Sequence, residues 1–164
     1  MENIPEWLPP LVLLEKHQGN WEKYLNAVYQ FFVRDFVDHK PVFRETSLSL
    51  KRHPMHDGKE ATFWHIISEG EAENERTPDI RRCERIRWPK PIIEYSSEPC
   101  IKIWENERKG EKRILLWFES QDYLVVLADR KSYILFWTAY PVTQNHTKRK
   151  LQQEYERFKK AKAA

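Results

Sequence analysis

The spacing of apolar positions changes period along the chain. From Asn20 onward Trp21, Tyr24, Leu25, Val28 and Phe32 recur at helical intervals. Asn20 supplies an N-cap and Pro41 lies just past the end, so an amphipathic helix is predicted over 20–37. The period then drops to two. Val42, Arg44, Thr46, Leu48 and Leu50 fall on one side and Phe43, Glu45, Ser47 and Ser49 on the other, which predicts a strand over 42–50. Asp57-Gly58-Lys59-Glu60 reads as a capping-box start and Gly70 as a C-terminal stop. In the helix between them Ala61, Trp64 and Ile67 form the stripe expected to face the core, while Thr62, His65, Ile66 and Glu69 form another. Thr77-Pro78 reads as a second helix start, a hydroxyl N-cap followed by proline. Pro89 ends that helix by Trp88. On it Ile80, Cys83 and Arg87 share a face, and Arg82, Arg85 and Ile86 point elsewhere.

The second half returns to period two. Four strands are predicted, over 101–105, 113–119, 123–128 and 132–142, joined by the short polar connections Lys109-Gly110, Ser120-Gln121 and Asp129-Arg130-Lys131. Connections this short join antiparallel neighbours, so the strands form a meander. The unbroken apolar run 114–118 calls for cover on both faces, and the preceding helices are the expected cover. A last helix, 147–162, carries a narrow stripe of Leu151, Tyr155 and Phe158. The expected fold is α+β, with N-terminal helices packed on a four- to five-stranded antiparallel sheet and a basic C-terminal helix. Residues 1–164 are expected to form one domain, with an irregular segment at 1–18, broken by Pro9-Pro10, and the basic helix at 147–164.

Composition narrows the class. Seven Trp, seven Tyr and eight Phe supply burial that an apolar share of 40% would not, and 32% charged residues with only four Gly fit an ordered, soluble protein. A net charge of +3 permits a polyanionic partner. The charge is uneven. Glu69, Glu71, Glu73 and Glu75 form an acidic run, whereas 148–162 holds seven Lys or Arg against two Glu. Cys83 and Cys100 show no zinc spacing and fit a reducing cytoplasm. The chain has no membrane-length apolar run and no signal-peptide pattern. Gly-rich phosphate loops, HExxH and GxSxG are also missing, so neither a metal nor a cofactor is expected.

Several residue types carry possible chemistry. His65 stands on a short, rigid helix, and histidine is the side-chain type whose ordinary pKa lies near neutrality, as a general acid or base requires. His53 and His56, in the polar loop before it, are alternatives for a second such group. Arg81, Arg82, Arg85 and Arg87 offer guanidinium groups that pair with phosphate, and Arg82 and Arg85 are helix neighbours. Glu84 is expected to pair with one of them. Thr138 and Tyr140 alternate along the last strand with Ile134 and Phe136, two hydroxyls beside the break at Pro141. Arg130 and Lys131 in a turn, and Lys148, Arg149 and Lys150 in the tail, form an electrostatic footprint for RNA. Each of these groups also has an ordinary reading as packing or as a solvated face.

Three segments carry a resemblance: Phe63-Trp64-His65-Ile66, Arg81-Arg82-Cys83-Glu84-Arg85-Ile86 with Trp88-Pro89, and Thr138-Ala139-Tyr140-Pro141 followed by Lys148-Arg149-Lys150-Leu151. In this order, around a four-stranded meander, they resemble the barnase–EndoU–colicin–RelE superfamily of RNases, and more narrowly its phage- and mobile-element-associated members. The resemblance implies a metal-independent endoribonuclease acting as a toxin, held in check by an antitoxin or immunity protein. It implies 2′-OH attack on the adjacent phosphorus to leave a 2′,3′-cyclic phosphate. His65 would act as base or acid, Arg82 and Arg85 would stabilise the phosphorane charge, and Thr138 and Tyr140 would position the phosphate. The chain departs from the better-known members in lacking a second histidine placed as their pair. That role falls to Tyr140, an arginine, His53 or His56. The alternatives are a non-catalytic module binding nucleic acid or protein on the same fold, and an antitoxin-like regulator.

Overall fold

In the computed structural model, which describes residues 4–70 and 77–163, the side chain of Asn20 accepts from the Lys23 N–H at 3.0 Å and starts helix α1 (Trp21–Phe32). Glu71, Glu73 and Glu75 of the acidic run lie outside the described residues. Past Phe32 the helix widens into a π-type turn, Val33–Asp38. Tyr24, Val28, Phe32 and Phe36 are fully buried along this rod. The segment before it has little regular structure beyond a 3₁₀ turn at Leu14–His17, but it is tied down. The Trp88 indole donates to the Pro9 carbonyl at 2.9 Å and the Tyr24 hydroxyl to the Val12 carbonyl at 2.8 Å.

The predicted strand over 42–50 is instead a tight hairpin of β1 (Val42–Phe43) and β2 (Thr46–Ser47). Arg44 and Glu45 turn the chain with φ of 48° and 69°. Alternation alone did not reveal the turn because neither residue is the Gly or Asn that usually marks two left-handed positions. Ser49 then bridges Leu135 in parallel. A second misreading has the same origin. Asp57 and Gly58, with φ of 52° and 70°, form a turn between His56 and Lys59, so the helix start moves to Glu60. Glu60 does not cap; it accepts the Tyr29 hydroxyl. Helix α2 (Ala61–Ile67) ends before Gly70, and β3 (Ser68–Glu69) pairs with β4 (Thr77–Pro78). Thr77-Pro78 is thus a strand and not a helix start. The N-cap of α3 (Ile80–Glu84) is Asp79, whose carboxylate accepts from the Arg81 N–H at 3.4 Å. Helix α3 ends before Trp88, as expected, and Pro89 then opens α4 (Pro89–Glu94), at the position where a helix tolerates a missing N–H.

The meander is as expected. Strands β5 (Lys102–Arg108), β6 (Glu111–Phe118), β7 (Tyr123–Asp129) and β8 (Ile134–Pro141) pair antiparallel in sequence order. Both faces are covered, but not by the same helices. Ile114, Leu116, Phe118, Val125, Leu127 and Phe136 pack with the N-terminal helices. Trp104, Leu115, Trp117, Leu124 and Val126 pack with Leu151, Tyr155 and Phe158 of α5 (Asn145–Ala163), so the C-terminal helix covers the second face. Glu154 fixes it there: its Oε1 accepts from Trp104 Nε1 at 2.8 Å and from Asn106 Nδ2 at 2.6 Å.

One irregularity in β8 decides where the candidate residues go. Leu127 lies opposite Phe136 and Val126 opposite Thr138, which leaves Trp137 as the extra residue of a β-bulge. Simple alternation would put Phe136, Thr138 and Tyr140 on one face. The bulge reverses the count: Phe136 belongs to the first core, and Trp137 and Tyr140 pack on the second. The expectation that Thr138 and Tyr140 share a face with Ile134 and Phe136 is corrected accordingly.

Candidate functional site

Helices α2 and α3 run beside the β8 edge and bring their polar side chains onto the face that the bulge redirects. On α2, Phe63, Ile66 and Ile67 are buried, and this anchors the helix. His65 is half-buried, and its ring meets the Trp137 ring at 5.0 Å between centroids. Trp64, expected to face the core, is partly buried against it, and together with Ala61 it also lines a surface cavity.

On α3, Cys83 is the buried anchor. Burial, and then the charges of Asp79 and Glu84, push its thiol up to about 12, so it serves packing and not nucleophilic chemistry. Ile80, expected on the same face, is exposed. One residue round the helix from Cys83, Arg82 is held on three sides. Its Nε lies 3.9 Å from the Asp79 carboxylate, an Nη donates to the His65 carbonyl at 3.5 Å, and its guanidinium lies 5.2 Å from the centre of the Tyr140 ring. A planar cation stacked on a phenol ring keeps its outer edge available to an anion.

Tyr140 is half-buried. Burial raises its phenol above the ordinary value, and the nearby charges of Arg82, Arg108 and Arg113 pull the other way. At neutral pH the group is therefore a neutral hydroxyl, a proton donor. Thr138, two residues back on the same strand, is only 7% exposed, and its hydroxyl has no hydrogen-bond partner among the described residues. Arg113 Nε and Trp117 Nε1, from strand β6, are likewise without partners among the described residues. Buried polar groups are almost always satisfied, so unsatisfied donors gathered along one face are unusual.

Two residues of this cluster, Trp137 and Arg113, were missed in the sequence. The Arg113 guanidinium lies 4.7 Å over Trp137, and Arg130, named from the sequence for another reason, approaches the same ring at 6.0 Å. The available signal was phase: Arg113 alternates with Leu115 and Trp117, which marks a cation on the apolar face of β6. Both arginines share Glu111, at 3.5 Å and 2.8 Å. Against the desolvation that raises it, hydrogen bonding from Arg130 holds the Glu111 carboxyl below its ordinary range.

Three of the residues singled out thus come together, His65, Arg82 and Tyr140, with Thr138 on the same strand two residues from Tyr140 and Arg130 at the margin. Arg85 does not join them. It donates to the Arg81 carbonyl at 3.1 Å, pairs with Glu84 at 3.6 Å and stacks on Trp88 at 5.1 Å, at the first core. Arg87 stacks on Phe31 at 4.9 Å, and burial lowers its pKa. Arg81, Lys131, Arg149 and Lys150 are exposed. Lys148 pairs with Asp122 at 2.7 Å, which ties α5 to the sheet end. His53 and His56 lie in the exposed loop, and His56 pairs with Asp57 at 3.6 Å.

Among the described residues there is no group of three His, Cys, Asp or Glu able to hold a metal ion, and no helix is long and apolar enough to cross a membrane. Compared with protein-family models, curated proteins and solved structures, the chain matches none.

Proposed function

We propose that this chain is a metal-independent endoribonuclease, with the site at the junction of α2, α3 and β8. The observation that carries the reading is the meeting of two halves distant in sequence. His65 and Arg82 come from the helices, Trp137 and Tyr140 from the last strand, and they touch through a ring contact of 5.0 Å and a cation–ring contact of 5.2 Å. A proton-transfer group, a fixed cation and a neutral hydroxyl are what cleavage through the ribose 2′-OH requires. In this reading His65 takes the 2′-OH proton as that oxygen attacks phosphorus. Arg82 stabilises the added charge on the phosphorane. Tyr140 gives its proton to the departing 5′ oxygen, leaving a 2′,3′-cyclic phosphate and a free 5′-OH. Arg113 and Arg130 hold neighbouring phosphates, and Trp137 supports the arginines. Arg85, which faces elsewhere, has no part in the reading.

The resemblance to toxin RNases extends the proposal to a cytoplasmic toxin restrained by a neutralising partner protein. Growth arrest on expression, relieved by Arg82→Ala, tests that extension. The chemistry is tested with a labelled single-stranded RNA and the same oligonucleotide bearing 2′-deoxyribose throughout. Cleavage of the first alone, with cyclic phosphate ends, supports the mechanism. Cleavage of both excludes 2′-OH attack, and binding without cleavage favours a nucleic-acid-binding module.

A further inference from the structure

His65 has a second side that the cleavage chemistry leaves unused. It is one wall of a cavity of about 690 Å³, bounded also by Trp21 and Leu25 of α1, Met55 of the loop, and Ala61 and Trp64 of α2. That volume lies within the range of small-molecule sites, roughly 300–1,000 Å³. The lining is largely apolar and aromatic. Its main platform is fixed in place: the Trp64 indole donates to the His56 carbonyl at 2.9 Å, the His56 ring meets it edge-on at 5.4 Å, and Phe63 backs it at 5.4 Å. Trp21 and Met55 stay 39% and 43% exposed, large apolar groups with no burial to account for them. The lining includes Asp57, a carboxylate unsuited to a phosphate. The arginines lie elsewhere, with Arg82 bound to the His65 carbonyl and Arg113 against Trp137.

We propose that this cavity seats one nucleobase of the bound strand, its ring against Trp64 and between Trp21 and Met55, with the attached phosphate outside, toward Arg82. An aromatic-lined slot that excludes phosphate, separated by one imidazole from a set of arginines, matches the alternation of flat base and anionic backbone in a single strand. The inference rests on the reading of an RNA site at His65.

The test is calorimetric titration of the intact protein with the four ribonucleosides, then with their 3′-monophosphates. At least one nucleoside is expected to bind. Trp21→Ala, a change at an exposed position, should weaken it roughly ten-fold or more, as loss of a stacking partner does. Ala61→Phe, which fills the cavity, should abolish it. Arg82→Ala should leave the nucleoside unaffected and weaken only the monophosphate. No binding of any nucleoside, or equal binding by wild type and Trp21→Ala, overturns the proposal. RNA cleavage that persists at an unchanged rate in Trp21→Ala and Ala61→Phe removes the base pocket alone. Nucleoside binding without any RNA cleavage removes the nuclease reading alone.

Discussion

The guanidinium of Arg82 lies 5.2 Å from the centre of the Tyr140 ring, across the boundary between α3 and β8. The pair joins the two halves of the candidate site, and its geometry depends on events at both ends. Asp79 caps α3 and holds Arg82 at 3.9 Å, and the bulge at Trp137 turns Tyr140 toward it.

If Arg82 stabilises charge that develops on phosphorus, Arg82→Ala lowers RNA cleavage about a hundred-fold or more, the usual loss for one such donor. Arg82→Lys keeps the charge but loses the planar fork and recovers little of the rate. Arg85→Ala, whose guanidinium is turned to Trp88, leaves the rate within a few-fold of wild type. Single-turnover cleavage by the three variants checks this.

Tyr140→Phe keeps the ring beneath Arg82 and removes only the hydroxyl that donates the proton. Cleavage is expected to fall by about 10²–10⁴, the usual worth of a general acid. Thermal stability and RNA affinity should change little. The kinetics of a substrate with a better leaving group, a 5′-phosphorothiolate, separate this role from packing. That substrate needs no proton donor and should restore the rate.

The bulge predicts that two changes at one position have similar effects. Trp137→Ala removes a half-buried ring and leaves the register intact. Deleting Trp137 removes the extra residue and leaves Phe136 opposite Leu127 and Thr138 opposite Val126, on the faces they already hold. The deletion should therefore lower the melting temperature by about as much as the substitution, whereas deletion of the paired residue Leu135 should lower it far more, as measured by thermal unfolding. For comparison, Trp104→Ala, in the second core under α5, is expected to cost about 3–5 kcal/mol.

Much of this fold was legible because strong local signals agreed with it. Asn20 capped its helix, the turn at Lys109-Gly110 has both residues at positive φ, and the run 114–118 proved to be covered on both faces. What was not legible rested on conformations that residue type marks weakly. Arg44, Glu45 and Asp57 take left-handed φ without being glycine, so a hairpin read as a strand and a turn as a cap. The candidate site was half legible for a similar reason. Helical phase separated Arg82 from the buried Cys83, but a bulge has no sequence signature as firm as a period. The side of β8 that carries Tyr140, and with it the relevance of Trp137 and Arg113, emerged only from pairing with β7.

Tyr29 offers a check at alkaline pH. Burial, then its hydrogen bond to Glu60, pushes the phenol from 10.0 up to about 12. A group whose folded pKa is raised contributes stability that is complete below the unfolded value and is lost as pH rises through the folded one. The contribution of Tyr29 should therefore fade between about pH 10 and 12. Urea unfolding across that range should show a shallower decline for Tyr29→Phe than for wild type.

The most direct measurement is cleavage of total RNA in EDTA by the purified protein and by His65→Ala. Fragments are expected from the wild type in chelator and should be lost in the variant, with both proteins folded by circular dichroism. Equal cleavage by both, or none by the wild type, contradicts the nuclease reading.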